Sequence, residues 1–126
     1  MVNKNNILIL EGGYNEEHEV SLNSSSGIQK ILKKNKIKYK VLLVNQKNFE
    51  KKILRYKNYI CFNALHGPFG EDGQIQKILK KNKIKFTHSN YISSRNCFDK
   101  MKTKKIVSTN KILTPKFLAI KKEDLN

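Results

Sequence analysis

Ile28-Gln-Lys-Ile-Leu-Lys-Lys-Asn-Lys-Ile-Lys-Tyr39 recurs as Ile75-Gln-Lys-Ile-Leu-Lys-Lys-Asn-Lys-Ile-Lys-Phe86, with only the last residue changed. Each copy opens with apolar residues at helical spacing (Ile28, Ile31 and Leu32; Ile75, Ile78 and Leu79) and ends where an extended apolar run begins. Each therefore reads as a helix end, a short connection and a strand start. A solenoid needs at least three repeats to bury its faces, so the two copies are equivalent units of one domain. Upstream, Asn6–Leu10 is a short buried strand, and Gly12-Gly13 opens a loop through Glu19. A helix is expected from Val20 to about Asn35, then strands at Tyr39–Asn45 and Tyr59–Leu65. Asn48–Tyr56 reads as one or two helical turns. After the loop His66–Gly73 come a helix at Gln74–Asn82, a brief strand at Lys85–Thr87, one helix over Ser93–Thr109, and a turn at Pro115 into an extended segment. The order β-α-β, β-α-β predicts an α/β fold: a mainly parallel sheet with helices on both faces, Rossmann-like.

The 126 residues suit one domain of ordinary size with a single core, 38% of them being hydrophobic. The longest apolar runs, such as Ile7–Leu10, have four residues, against about 20 for a membrane span. Met1 is followed by Asn3-Lys4-Asn5-Asn6, with no apolar segment of a signal peptide. Cys61 and Cys97 make no CxxC pair and no disulfide framework. A cytoplasmic protein without a membrane partner is expected. The formal net charge of +16 points first to a polyanion. Yet the basic residues are 24 Lys and only two Arg, Arg55 and Arg95, while nucleic-acid recognition favours the arginine fork. Lys, Asn and Ile, all read from AT-rich codons, number 24, 15 and 14. Biased coding that spreads lysine over solvated surfaces explains the charge, and no nucleic-acid partner is expected.

Acids in such a chain carry more information than its bases. Six of the ten lie in two loops: Glu11, Glu16, Glu17 and Glu19 in the first, Glu71 and Asp72 in the second, with His18 and His66 beside them. Both loops follow strands and lead into helices, which puts them at the carboxyl edge of the sheet, where ligands of open α/β folds bind. The dinucleotide fingerprint GxGxxG is absent after Gly12-Gly13, and the crowded carboxylates disfavour a phosphate there. Two readings of the first loop stay open on the residues alone. The acids hold a cation such as a substrate ammonium, or Asn15 or a nearby acid caps the helix while Glu16, Glu17 and Glu19 favour its positive end. In the second loop His66 reads as a proton carrier or a donor to an anion. Asp72 reads equally as an N-cap, and the spacing of His66, Glu71 and Asp72 matches no common metal site. Cys61 reads as a core thiol rather than a nucleophile.

Gly12-Gly-Tyr-Asn-Glu-Glu-His-Glu-Val-Ser-Leu22, Asn63-Ala-Leu-His-Gly-Pro-Phe-Gly-Glu-Asp-Gly-Gln-Ile-Gln76 and Asp99-Lys-Met-Lys-Thr-Lys104 together resemble signatures of D-alanine–D-alanine ligase, an ATP-grasp family of three domains. The resemblance implies an enzyme that joins two D-alanines for peptidoglycan precursors, with ADP and phosphate released from ATP. It implies residues 1–98 as the amino-terminal domain and 99–126 as the beginning of the ATP-grasp domain. It assigns Glu17 and His66 to catalysis and substrate binding: Glu17 on the ammonium of the first D-alanine, with Val20 beside its methyl group, and His66 near the reacting carboxyl. Ser21, Glu71 and Asp72 then hold the loops, and Lys100 faces the nucleotide. ATP and Mg2+ are the cofactors so implied, the metal ligands falling outside this chain, and a homodimer is implied as well. Family members are much longer, so the chain alone is expected to be inactive. Thr87-His88-Ser89-Asn90 departs from the family's Gly-Ser-Gly turn. The alternative is a stand-alone α/β binding module without catalysis.

Overall fold

The computed structural model describes residues 6–120 and 123. The Met1–Asn5 stretch and the last residues of the expected second segment (121, 122 and 124–126) lie outside the described residues. Strands β1 (Asn6–Gly12), β2 (Tyr39–Val44), β3 (Tyr59–Asn63) and β4 (Lys85–Phe86) form one sheet in the order β2-β1-β3-β4. Every pairing is parallel. Helix α1 (His18–Lys34) connects β1 to β2, α2 (Phe49–Ile53, between two single 3₁₀ turns) precedes β3, and α3 (Gln74–Lys81) connects β3 to β4. Helices α4 (Tyr91–Phe98) and α5 (Lys100–Thr109) follow. This is the α/β architecture expected from the alternation.

Central β1 explains the layering. Leu8, Ile9 and Leu10 are all fully buried, so neither face of this strand meets water. Leu8 and Leu10 join Leu42, Val44 and Cys61 of the neighbouring strands, Phe49 and Ile53 of α2, and Ile75 and Leu79 of α3 in one core. Ile9 points to the opposite face, where α1 packs against β1. The buried residues of α1 are Ser21 and Ser25, not the isoleucines of the repeat; Ile31 is 62% exposed. The stripe Ser21, Ser25, Ile28, Leu32 keeps helical spacing but begins with two small polar residues, so the amino-terminal half of α1 can approach the sheet closely.

Several boundaries differ from the sequence reading. Strand β1 continues to Gly12, and α1 starts at His18, two residues before Val20. Strand β3 ends at Asn63. The single helix expected over Ser93–Thr109 is two, broken at Asp99, whose extended backbone and side chain, accepting from Lys102 N at 3.0 Å, start α5 as an N-cap. Asn90 caps α4 by accepting from the amides of Ile92 and Ser93. Residues 110–120 form no further strand.

The repeated segment has a third partner at its stop. Asn35-Lys36-Ile37, Asn82-Lys83-Ile84 and Asn110-Lys111-Ile112 end α1, α3 and α5 with the same geometry. In each, the lysine is left-handed, with φ of 53°, 56° and 56°. In each, the isoleucine amide bonds back five residues, to Leu32, Leu79 and Val107 at 2.9, 3.0 and 2.9 Å. This is a Schellman closure with lysine where glycine is usual. The asparagine side chain adds a bond to the carbonyl four residues back, on Ile31, Ile78 and Ile106.

Ser21 closes the top of the sheet. Its buried hydroxyl accepts from Gly12 N at 2.9 Å and donates to Ala64 O at 2.7 Å. Ser21→Ala leaves the Gly12 amide without its partner, a loss of about 1–3 kcal/mol. Urea denaturation of parent and variant measures it, and an unchanged midpoint would contradict the clamp.

Candidate functional site

Two loops meet at the carboxyl edge, one after β1 and one after β3. Asn15 joins them. Its amide donates to His66 O at 2.8 Å and Pro68 O at 3.3 Å, while its Oδ1 accepts from Glu17 N at 2.9 Å. Glu17 is the N-cap residue of α1, yet its side chain makes no capping bond. Instead its carboxylate lies against Gly67: a Cβ there would stand 2.2 Å from Glu17 Oε2. Gly67 has φ of 70°, so both backbone and space demand glycine at this point. Of the two readings of the first loop, side-chain capping by Glu17 is therefore not what the structure forms. The capping role near this turn belongs to Asn15.

The second loop is held from below. Phe69 is buried and packs edge-to-face on Phe49, ring centroids 5.6 Å apart. Asp72 Oδ2 accepts from Phe69 N at 3.0 Å, which offsets that residue's left-handed backbone, and its Oδ1 accepts from Gln74 N at 3.0 Å. The formal N-cap of α3 is Gly73, so Asp72 acts one residue earlier, as a tie between loop and helix. Glu71 Oε2 accepts from Gly67 N at 3.0 Å, and Oε1 lies 4.0 Å from His66 Nδ1. On its other side His66 presents Nε2 to Ser24 Oγ at 2.9 Å.

The sequence-predicted residues thus divide into groups. Glu17, His66 and Glu71 converge around Gly67, with Ser21 and Asp72 as ties beneath. Val20, on the first turn of α1, is 47% exposed. Lys100 lines a separate cavity of about 260 Å³ with Cys97, Thr103 and Lys104. Lys104 is engaged already, donating to Thr114 Oγ1 and to Pro115 O. Sequence reading missed Ser24 and the bridging role of Asn15. The signal for Ser24 was its place three residues after Ser21, on the loop side of α1. Among the described residues no group of three His, Cys, Asp or Glu side chains is close enough to hold a metal ion. Burial pushes the Cys61 thiol up to about 12, as befits a core residue rather than a nucleophile.

A four-stranded, all-parallel sheet in this order with helices packed on it defines a Rossmann-like α/β domain. The comparisons narrow that class. No protein-family model matches the chain. It is 49% identical over 123 residues to the D-alanine–D-alanine ligase of Pelagibacter ubique, covering 95% of this chain and 40% of that protein. Its identity to the same enzyme of Wolbachia from Culex pipiens is 36% over 121 residues, with 95% and 38% covered. The crystal structure of D-alanine–D-alanine ligase from Bacillus anthracis matches with a TM-score of 0.77 at 33% identity, covering 95% of this chain and 40% of that one. Its complex with ATP matches at 0.74 and 34% identity, with 96% and 42% covered. The chain spans about 40% of the length of the curated relatives it matches, and it is homologous to the amino-terminal part of D-alanine–D-alanine ligases.

His88 stands in the departing turn, stacked on Phe86 at 4.8 Å, with both ring nitrogens buried and unpartnered by the protein. It lines a cleft of about 350 Å³ with Glu71 and Cys97. Burial lowers its pKa below the ordinary histidine value. A depressed histidine favours folding fully above its unfolded pKa, near 6.5, and loses that contribution as pH falls below it. The urea midpoint is therefore expected to drop between pH 7.5 and 5 more in the parent than in His88→Gln; equal drops would contradict it.

Proposed function

We propose that the chain is the D-alanine-binding, amino-terminal part of a D-alanine–D-alanine ligase, acting in the synthesis of peptidoglycan precursors. The observation that carries this is the Glu17 carboxylate packed on Gly67 beside His66. Negative charge at a helix start is favoured by the helix dipole. Such a carboxylate is the group needed to take the ammonium of the first D-alanine. Val20, exposed on the first turn of α1, lies beside its methyl group. His66, fixed by its two neighbours, meets negative charge developing at the reacting carboxyl. ATP supplies the phosphoryl group that activates this carboxyl, and the amine of the second D-alanine displaces it.

Residues 1–98 form the amino-terminal domain in this reading, and 99–126 begin the ATP-grasp domain. The break between α4 and α5 at Asp99 supports that division, and Lys100, first residue of α5, is assigned to the nucleotide on the resemblance. ATP and Mg2+ serve the complete enzyme, which works as a cytoplasmic homodimer. The 126 residues by themselves bind but do not ligate, which is also the behaviour of a stand-alone binding module.

Glu17→Gln in a chain carrying the remaining ligase domains removes one charge-assisted bond. At about 1.5–3 kcal/mol for such a bond, kcat/KM for D-alanine falls about 10- to 150-fold. An unchanged value would overturn the role of Glu17. Incubated alone with ATP and D-alanine, the 126-residue chain yields no dipeptide; its formation would refute the division of labour.

A further inference from the structure

We infer that Ser24 and Glu71 are positioning residues that together set the tautomer of His66, so that Nδ1–H is the donor presented to the ligand. Ser24 sits on α1, whose position is fixed by the Ser21 clamp three residues earlier. From there its Oγ reaches His66 Nε2 at 2.9 Å across 42 residues of sequence. A neutral imidazole has one donor nitrogen and one acceptor, and the bond made by one nitrogen decides which is which. The Ser24 hydroxyl can meet either tautomer, and the Glu71 carboxylate on the other side decides between them. If Ser24 donates its hydroxyl proton, Nε2 is the acceptor and Nδ1 carries the ring proton. If Nε2 carried the proton, the lone pair of Nδ1 would face Glu71 Oε1 at 4.0 Å, an unfavourable meeting of two acceptors. Glu71 is itself held in place by the Gly67 amide at 3.0 Å. The backbone of His66 cannot slide either, because Asn15 holds its carbonyl. Ring position and proton position are thus fixed from three different elements.

The consequence rests on the function proposed above. An oxyanion needs a donor, and at 4.0 Å the Nδ1–H is not used up by a hydrogen bond to Glu71. With the ring held still, it remains a donor available to a carboxyl oxygen of the bound amino acid that approaches in the ring plane. Without Ser24 the tautomers mix and part of the population presents a lone pair there instead.

The test reads the ring directly. Long-range nitrogen–proton NMR on the 126-residue chain, at a pH where His66 is neutral, distinguishes the two tautomers. The Nδ1–H form is expected to dominate in the parent. Ser24→Ala is expected to move the ratio about 2- to 10-fold toward Nε2–H, the worth of one hydrogen bond, and Ser24→Thr to restore it. A dominant Nε2–H form in the parent, or the same ratio in parent and Ser24→Ala, would overturn the inference. The first of these needs no variant. In the chain with the ligase domains, Ser24→Ala lowers kcat with little change in KM for D-alanine. No substrate enters the NMR measurement, so failure to bind D-alanine would sink the proposed function and leave the tautomer result standing.

Discussion

A single buried hydroxyl, that of Ser21, joins the ends of β1 and β3 to the first turn of α1. Parallel strands end with amides and carbonyls that no neighbour satisfies, and a buried polar group without a partner is costly. Serine is small enough to sit between helix and sheet and can donate and accept at once. Everything at the edge depends on this placement. With α1 held there, Glu17 stands at its start over Gly67, and Ser24 stands one turn on beside His66. A larger residue at position 21 would push α1 outward and separate the two loops.

The second loop is rigid for a different reason. Phe69 drives into the core as an anchor, and its left-handed backbone is supported by the Asp72 carboxylate. Gly70 lies so close to Leu65 that a Cβ would come within 2.5 Å of it, while its carbonyl accepts from both Asn63 and Gln76. Hydrophobic burial and polar ties therefore act on the same eight residues, and the exposed tip that carries His66 and Glu71 inherits their order. Six of the ten acids of a chain with net charge +16 lie in this loop and the one after β1 taken together, counting Glu11 and Glu19 at the edges of the latter. They concentrate negative charge at the one edge where both loops are held firmly.

The parallel sheet was legible because periodicity and alternation are local properties, and the strands and α3 lie within a few residues of where the pattern put them. Helix α1 was legible in extent but not in orientation. Its conspicuous isoleucines suggested the buried stripe, whereas Ser21 and Ser25 face the sheet; apolar count cannot reveal a close approach that needs small residues. The break at Asp99 was missed since the sequence on both sides favours helix, and only the cap geometry separates α4 from α5. At the site, Glu17, His66 and Glu71 stood out as acids and histidine in glycine-rich loops. Ser24 and Asn15 did not, because their partners are 42 and 51 residues away and serine and asparagine are common in this chain.

Three helices end on the same Asn-Lys-Ile stop, and each depends on an asparagine amide that bonds to a carbonyl four residues back. An amide of this kind ages chemically. Hydrolysis to aspartate exchanges the donor for a negative acceptor, facing a carbonyl at the end of a helix that already carries partial negative charge. One slow reaction would thus loosen α1, α3 and α5 in the same way. Two of these stops lead straight into β2 and β4, the outer strands of the sheet. The lifetime of the folded chain is then tied to three side-chain amides as well as to the packing of its core.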